Sequence, residues 1–275
     1  MNMNDHSQII LTSDCGGAME HCLLPSSQIA FLDELWKLIG GHFFANSLVY
    51  STPYGNTGWT ALRAGLTGHI AYHHWDRAEP SLLQLDMEFG GSIDIDRVIE
   101  VIRRHWEVVG LRLLSMKGRI GDSSSRPIVH CDNLLRRSNT ALGLGPGNHI
   151  YLMVDYRPFP RRAPLSKQVM DAGLVDLVAM LGMVGMTPAL STVTVDSNSS
   201  RYDGIIGITT SHILLQVDRT SVSETVRLEV FSCKDFAPDI VRSWLVQHFG
   251  PAIDAHSVLV DRHPNHVVSE IDWTD

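Results

Sequence analysis

The sequence predicts an α+β protein made of two homologous repeats, each an antiparallel sheet with helices on one face. Three observations predict it. One pattern of alternating strands followed by an amphipathic helix occurs twice, at Thr67–Trp106 and at Thr210–Phe249. The segments upstream of the two copies also correspond, each reading as a strand and then a helix, so each repeat is β-α-β-β-β-α-β in outline. A stretch rich in Ser, Gly and Pro, residues 121–147 with DSSSRP and GLGPG, separates the copies. The expected division is therefore 1–120 for the first repeat, 121–147 for a linker and 148–275 for the second.

In the first repeat the opening strand is Ile9–Thr12 and the first helix Ser27–Ile39. A small–small–His–aliphatic run begins at Thr67, and an alternating strand, a turn and the strand Leu85–Phe89 follow it. In the second repeat the opening strand is His149–Val154, the helix Leu165–Leu181, the run begins at Thr210, and the matching strand is Leu228–Ser232. Gly90 then falls at the position of Cys233. The closing helices have helical spacing through Ile95, Val98, Ile99, Ile102 and Trp106, and through Ile240, Val241, Trp244, Leu245 and Phe249. Asp94 and Asp96 near one start, and Pro238 and Asp239 near the other, suit helix N-termini. One further strand closes each repeat, Leu111–Met116 and Ser257–Val260.

Composition narrows the function classes. With 44% hydrophobic and 19% charged residues among 275, the chain has enough apolar material for one large core or two of about 130 residues. A net charge of −8 leaves no footprint for nucleic acid, and the pairs Arg103-Arg104, Arg136-Arg137 and Arg161-Arg162 read as solvated surface. No apolar run approaches the ~18 residues of a membrane span, and MNMNDHSQ is not a secretory signal. Cys15, Cys22, Cys131 and Cys233 are widely spaced, as reduced cytoplasmic thiols are, and no metal-ligand spacing occurs among 14 histidines. His73 and His74 are adjacent and would point to opposite faces of a strand. GLGPG neither follows a strand nor opens a helix, so it is not a nucleotide fingerprint.

Several motifs recur in a fixed order. The first half carries Pro53-Tyr54-Gly55-Asn56-Thr57-Gly58, Gly68-His69 and His73-His74-Trp75; the second carries Tyr202-Asp203-Gly204, Thr210-Ser211-His212 and Phe231-Ser232-Cys233-Lys234. In order and spacing they resemble the pyruvoyl-dependent S-adenosylmethionine decarboxylases, across nearly the whole chain apart from the linker and the termini. That resemblance implies an αββα sandwich. It also implies that Ser211 matches the self-cleaving serine (Gly68 in the first half) and Cys233 the catalytic cysteine (Gly90 in the first half). His73 matches the processing histidine (Gln216 in the second half), and Thr57 the assisting hydroxyl (Asp203 in the second half). The second half thus keeps the nucleophile set and the first the assisting set, the reverse of the fused eukaryotic enzymes.

The implied chemistry starts with self-cleavage between Thr210 and Ser211, which converts Ser211 into a pyruvoyl group. That group forms a Schiff base with the substrate amine and accepts the electrons left by carbon dioxide. His73 suits the base and Cys233 the acid that protonates the substrate carbon. Thr210 stands where the family has Glu. Asp155, Tyr202 and Trp75 are the substrate-binding candidates, with Tyr50 and Tyr72 as further aromatics, although core packing explains the aromatics equally well. The resemblance implies a small-molecule substrate, S-adenosylmethionine, for polyamine synthesis by a cytoplasmic monomer or homodimer, with no nucleic acid, membrane or metal. Two readings compete with it: a pyruvoyl decarboxylase of ornithine or arginine, and a non-catalytic relative that binds a ligand or activates a partner.

Overall fold

The computed structural model describes residues 7–18, 24–40, 43, 47–52, 58–65, 68–75, 81–117, 128–136, 150–161, 163–209, 211–261 and 267–273. The chain divides into two compact units, Met1–Gly147 and Asn148–Asp275.

The first unit runs β1 (Ser7–Ala18), α1 (Pro25–Ile39), β2 (Leu48–Thr52), β3 (Gly58–Gly65), β4 (Gly68–Trp75), β5 (Ser81–Phe89), α2 (Ile95–His105), β6 (Trp106–Lys117) and β7 (Ile128–Arg136). The second runs β8 (Ile150–Pro158), α3 (Lys167–Met180), β9 (Leu190–Val195), β10 (Ser199–Ile208), β11 (Ser211–Thr220), β12 (Glu224–Ser232), α4 (Pro238–Phe249), β13 (Ala252–Asp261) and β14 (Val267–Asp272). Among the described residues each unit forms a seven-stranded sheet, ordered β2-β3-β4-β5-β1-β6-β7 in one and β9-β10-β11-β12-β8-β13-β14 in the other. Every pairing is antiparallel, and the two orders are the same order. The α+β class and the duplication are therefore properties of the fold.

The correspondence extends to register. His69 pairs with Glu88 and His212 with Phe231, a constant offset of 143 residues. Gly65 pairs with Gly68 as Ile208 pairs with Ser211. Even an irregularity is repeated. Pairing along β6 skips Val109 between Val108 and Gly110, and along β13 it skips Ile253 between Ala252 and Asp254.

Pleating sends successive side chains to opposite faces. In the first unit one sheet face, with Ala61, Ile70, Tyr72, Leu83, Leu85 and Met87, packs under Phe31, Leu32 and Leu35 of α1 and Val98 and Ile102 of α2. Phe31 sets its ring edge-on to Tyr72 and Trp106, 5.3 and 4.3 Å away. In the second unit Leu152, Val154, Ile213, Leu215, Leu228 and Val230 meet Leu174 and Leu177 of α3 and Trp244 and Leu245 of α4. Each helix has terminal signals: Asp94 accepts from the Arg97 amide at the start of α2, and Pro238 opens α4.

Three sequence expectations change. Trp106 is not helical; its backbone is extended (φ −135°, ψ 146°) and opens β6, while its ring stays in the core. Residues 128–136, inside the segment read as a linker, form β7 against β6. Each sheet also has a further edge strand before β3 or β10, namely β2 and β9. Edge strands pair on one side only, so they show less apolar alternation than central ones. Among the described residues, no helix is long and apolar enough to cross a membrane.

Two polar anchors tie the second unit together. Asp171 of α3 accepts from Lys167 (2.5 Å), Ser191 (2.5 Å) and Tyr202 (2.8 Å), joining the helix to β9 and β10. Burial acts to raise its pKa, but these hydrogen bonds outweigh burial and hold it below the ordinary carboxylate value. Glu224 is fully buried and takes a two-bond fork from Arg219, both at 2.9 Å, and a third bond from Arg161 at 3.0 Å. Burial again opposes, and the guanidinium groups prevail, so this pKa is lowered too.

The stability these carboxylates contribute is fully present above their unfolded values, near pH 4, and is lost as pH falls through the lower folded values. The urea midpoint of the second unit's unfolding should therefore decline below about pH 5. Glu224→Gln should cost about 3 kcal/mol by stranding the Arg219 charge and flatten that decline, as measured by urea titrations from acid to neutral pH.

Candidate active site

Ser211 opens β11, and Cys233 follows the last residue of β12. Antiparallel pairing of these strands brings the two ends together. The Ser211 Oγ lies 3.6 Å from the Cys233 Sγ and accepts a hydrogen bond from the Cys233 amide at 3.2 Å. The thiol in turn faces the Thr209 carbonyl at 3.9 Å. Ser211 is buried and Cys233 half-buried. An amide donor, a hydroxyl and a thiol thus meet at one end of the sheet, beside the Thr209 carbonyl. Thr210 itself lies outside the described residues.

The turn carrying Cys233 is bonded on both flanks. Ser232 Oγ donates to the Lys234 carbonyl (2.6 Å) and accepts from the Lys234 amide (2.9 Å). Lys234 Nζ reaches the Gly182 carbonyl at 3.4 Å, just past the end of α3. There the Gly182 amide bonds Ala179 and the Met183 amide bonds Val178, closing the helix with Gly182 left-handed at φ 64°. A cation at this end also suits the helix dipole.

The equivalent end of the first unit cannot hold the same groups. Gly68 occupies the Ser211 position, and a Cβ built there would collide with the Glu88 carbonyl. Gly90 and Gly91 replace Cys233 and Lys234, and the turn there has a single backbone bond from the Gly91 amide to the Phe89 carbonyl. Among the described residues, a hydroxyl and a thiol meet at one of the two matching sheet ends and glycines stand at the other.

His73 lies on β4 and Thr60 opposite it on β3, on the sheet face turned away from the helices. His73 Nδ1 is hydrogen-bonded to the Thr60 hydroxyl at 2.9 Å, and both residues are fully buried. Tyr50, across from Thr60 on β2, bonds the same hydroxyl; burial raises the Tyr50 pKa, so its phenol stays protonated. The Trp75 ring lies 5.8 Å from that of His73, and Trp75 is buried. His74 points the other way, toward Trp106 in the helix-side core, as its place in the strand requires.

Thr57 lies outside the described residues. The hydroxyl beside the imidazole is that of Thr60, which the sequence reading missed. Thr60 pairs with His73 as Asp203 pairs with Gln216, so Thr60 is the true counterpart of Asp203. The offset of 143 that relates Gly68 to Ser211 leads from Asp203 to the same residue. Matching the Pro-Tyr-Gly turn by residue type, rather than by strand register, pointed to Thr57 instead.

Tyr202 and Asp155 do not join Ser211. Tyr202 is packed on the helix side with its hydroxyl on Asp171, and burial raises its pKa. It pairs with Val217, six residues along β11 from Ser211, a separation of about 20 Å at strand rise. Asp155 pairs with Arg227, likewise six residues from Cys233, and sits on the opposite face. There Thr192, Asp203, Gln216, Arg227, Asp155 and His256 form one cross-strand row. Nearby on that face Asp203 takes a two-bond fork from Arg201 (2.7 and 2.8 Å), and Glu229 accepts from Arg227 (2.9 Å) and Tyr151 (2.5 Å). Sequence patterning also missed a buried group on the polar face of the first unit. His69 has Asp86 3.7 Å from one ring nitrogen and Glu88 3.4 Å from the other. The strict alternation of His69, Ala71 and His73 on β4, and of Gln84, Asp86 and Glu88 on β5, is the signal that would have found it.

The chain matches no protein-family model, and a search of curated proteins finds no significant relative.

Proposed function

We propose that the chain is a self-processing, pyruvoyl-dependent decarboxylase, an αββα sandwich of the S-adenosylmethionine decarboxylase type acting on S-adenosylmethionine. One observation carries the reading: a serine hydroxyl and a cysteine thiol meet at the sheet end where the other repeat has only glycines. The residues present fit a pyruvoyl group, because its precursor serine opens a strand with its hydroxyl held by the Cys233 amide.

Processing begins when Ser211 Oγ adds to the carbonyl carbon of residue 210 and gives up its proton. The C–N bond between residues 210 and 211 breaks, and an ester forms in its place. A base then takes the Ser211 α-proton, and elimination releases residue 210 as a carboxylate. Water replaces the nitrogen of the dehydrated residue, and ammonia leaves. The family resemblance assigns this proton transfer to His73, whose Nδ1 is hydrogen-bonded to the Thr60 hydroxyl.

Once formed, the pyruvoyl group supplies an electron sink for decarboxylation. Cys233 keeps its thiol within reach of the same point and returns a proton to the substrate's α-carbon. The half-burial of Cys233 and the full burial of Ser211 limit competing access by water.

On a denaturing gel the 30.5 kDa chain should split into fragments of about 23 and 7 kDa, in proportion to 210 and 65 residues. Ser211→Ala should remain whole. A wild-type chain that stays intact through prolonged incubation overturns the reading and favours a ligand-binding or partner-activating role. Carbon dioxide release from ornithine or arginine but not from S-adenosylmethionine would leave the mechanism standing and replace the substrate.

His73→Ala should slow cleavage by about a hundredfold or more. Thr60→Val should slow it by about tenfold, through loss of the bond that fixes the imidazole. Time courses of fragment appearance measure both. Equal rates in Thr60→Val and wild type would remove Thr60 from the site.

A further inference from the structure

We propose that Ser232 and Lys234 are positioning residues that brace the turn setting Cys233 against Ser211. The inference rests on the functional reading above, but its geometry stands independently of it.

Past Ser232 the backbone leaves the sheet, so ladder bonds no longer hold it, and a three-residue turn must find its own constraints. In the first unit that turn, Phe89-Gly90-Gly91, has one backbone bond and no side-chain bond among the described contacts of those residues. In the second unit Ser232 is buried, and its hydroxyl closes both sides of the turn at once, donating to the Lys234 carbonyl and accepting from the Lys234 amide. This fixes the residue between them, which is Cys233. Its amide is thereby aimed at Ser211 Oγ and its sulfur held 3.6 Å from the same atom.

Lys234 braces the turn from outside. Its ammonium reaches the Gly182 carbonyl, where the left-handed glycine and two closing amide bonds end α3. The bond ties the Cys233 turn to a rigid helix end rather than to a loop tip. Both braces are side-chain bonds that Phe89 and Gly91, the counterparts of Ser232 and Lys234 in the first unit, cannot make. They occur only at the sheet end that carries the hydroxyl and the thiol, so the two repeats differ there in the reactive pair and in its support together.

The test uses the full-length protein and reads Cys233 directly, by iodoacetamide alkylation followed peptide by peptide. Ser232→Ala should unfold as cooperatively as wild type in urea, yet alkylate Cys233 about threefold faster or more, because the thiol leaves its half-buried place. Ser232→Thr, which keeps the hydroxyl, should restore the wild-type rate. Lys234→Met should accelerate alkylation in the same direction and tests the outer brace even if Ser232→Ala does not fold. In the same variants self-cleavage should slow by about tenfold to a hundredfold.

An unchanged alkylation rate in both Ser232→Ala and Lys234→Met overturns the proposal. So does a changed rate that Ser232→Thr fails to restore, since that marks a general loss of structure. If wild type never cleaves, the decarboxylase reading fails alone, and the alkylation rates still decide whether the braces position the thiol.

Discussion

Successive residues of a pleated strand face opposite ways, and in each unit the core clusters place helices against only one of the two sheet faces. Most of this protein's chemistry depends on that constraint. Helix-side positions are mostly apolar and form the core, whereas positions one residue away carry His69, His73, Asp86 and Glu88 in one unit and Asp203, His212 and Glu229 in the other. Tyr202 and Asp203 are neighbours in sequence with unlike roles, one bonded to α3 and the other to Arg201 two residues along the same strand, on the sheet's polar face. A one-residue slip would exchange these sets, turning carboxylates into the core. The register is thus defended by the cost of burying unpaired polar groups, and both copies keep it at the same offset.

Against that shared frame, the differences between the copies acquire meaning. The strand order, the pairings along β4 and β11 and a skipped residue in β6 and β13 all recur. The start of β4 and the start of β11 do not. Gly68 approaches the Glu88 carbonyl too closely to carry any side chain, while Ser211 has room and two polar neighbours. Phe89, Gly90 and Gly91 give way to Ser232, Cys233 and Lys234. Two copies of one fold can thus carry different side chains at equivalent places, and the close approach of the Glu88 carbonyl leaves Gly68 no room for the side chain that its counterpart has.

Legibility in the sequence followed the strength of local pattern. The four helices among the described residues were readable because each has a long apolar stripe and, in most cases, a Pro or Asp at its start. The central strands were readable because they are buried on both sides and the same motif labels them twice. The edge strands β2, β7, β9 and β14 were not. They pair on one side only, and β7 is flanked by the Ser-, Gly- and Pro-rich segments that made its surroundings read as a linker. The matched motifs group Ser211 with Cys233, and the structure sets the two side chains 3.6 Å apart, whereas Thr60 was missed because a turn motif was aligned by residue type while the hydroxyl's place is set by pairing across β3 and β4.

By itself the sequence determined the class of fold, its duplication, the approximate elements and the division of candidate residues between the halves. These follow from periodicity and from comparing the chain with itself, which are local or linear properties. Only the tertiary structure decided which hydroxyl meets His73, that Tyr202 belongs to a core, that Asp155 lies some 20 Å along the sheet from Cys233, and that Ser232 and Lys234 brace the thiol. Each of these depends on which strand lies beside which and in what register. That is a long-range choice, made by the burial of whole faces rather than by any short run of residues.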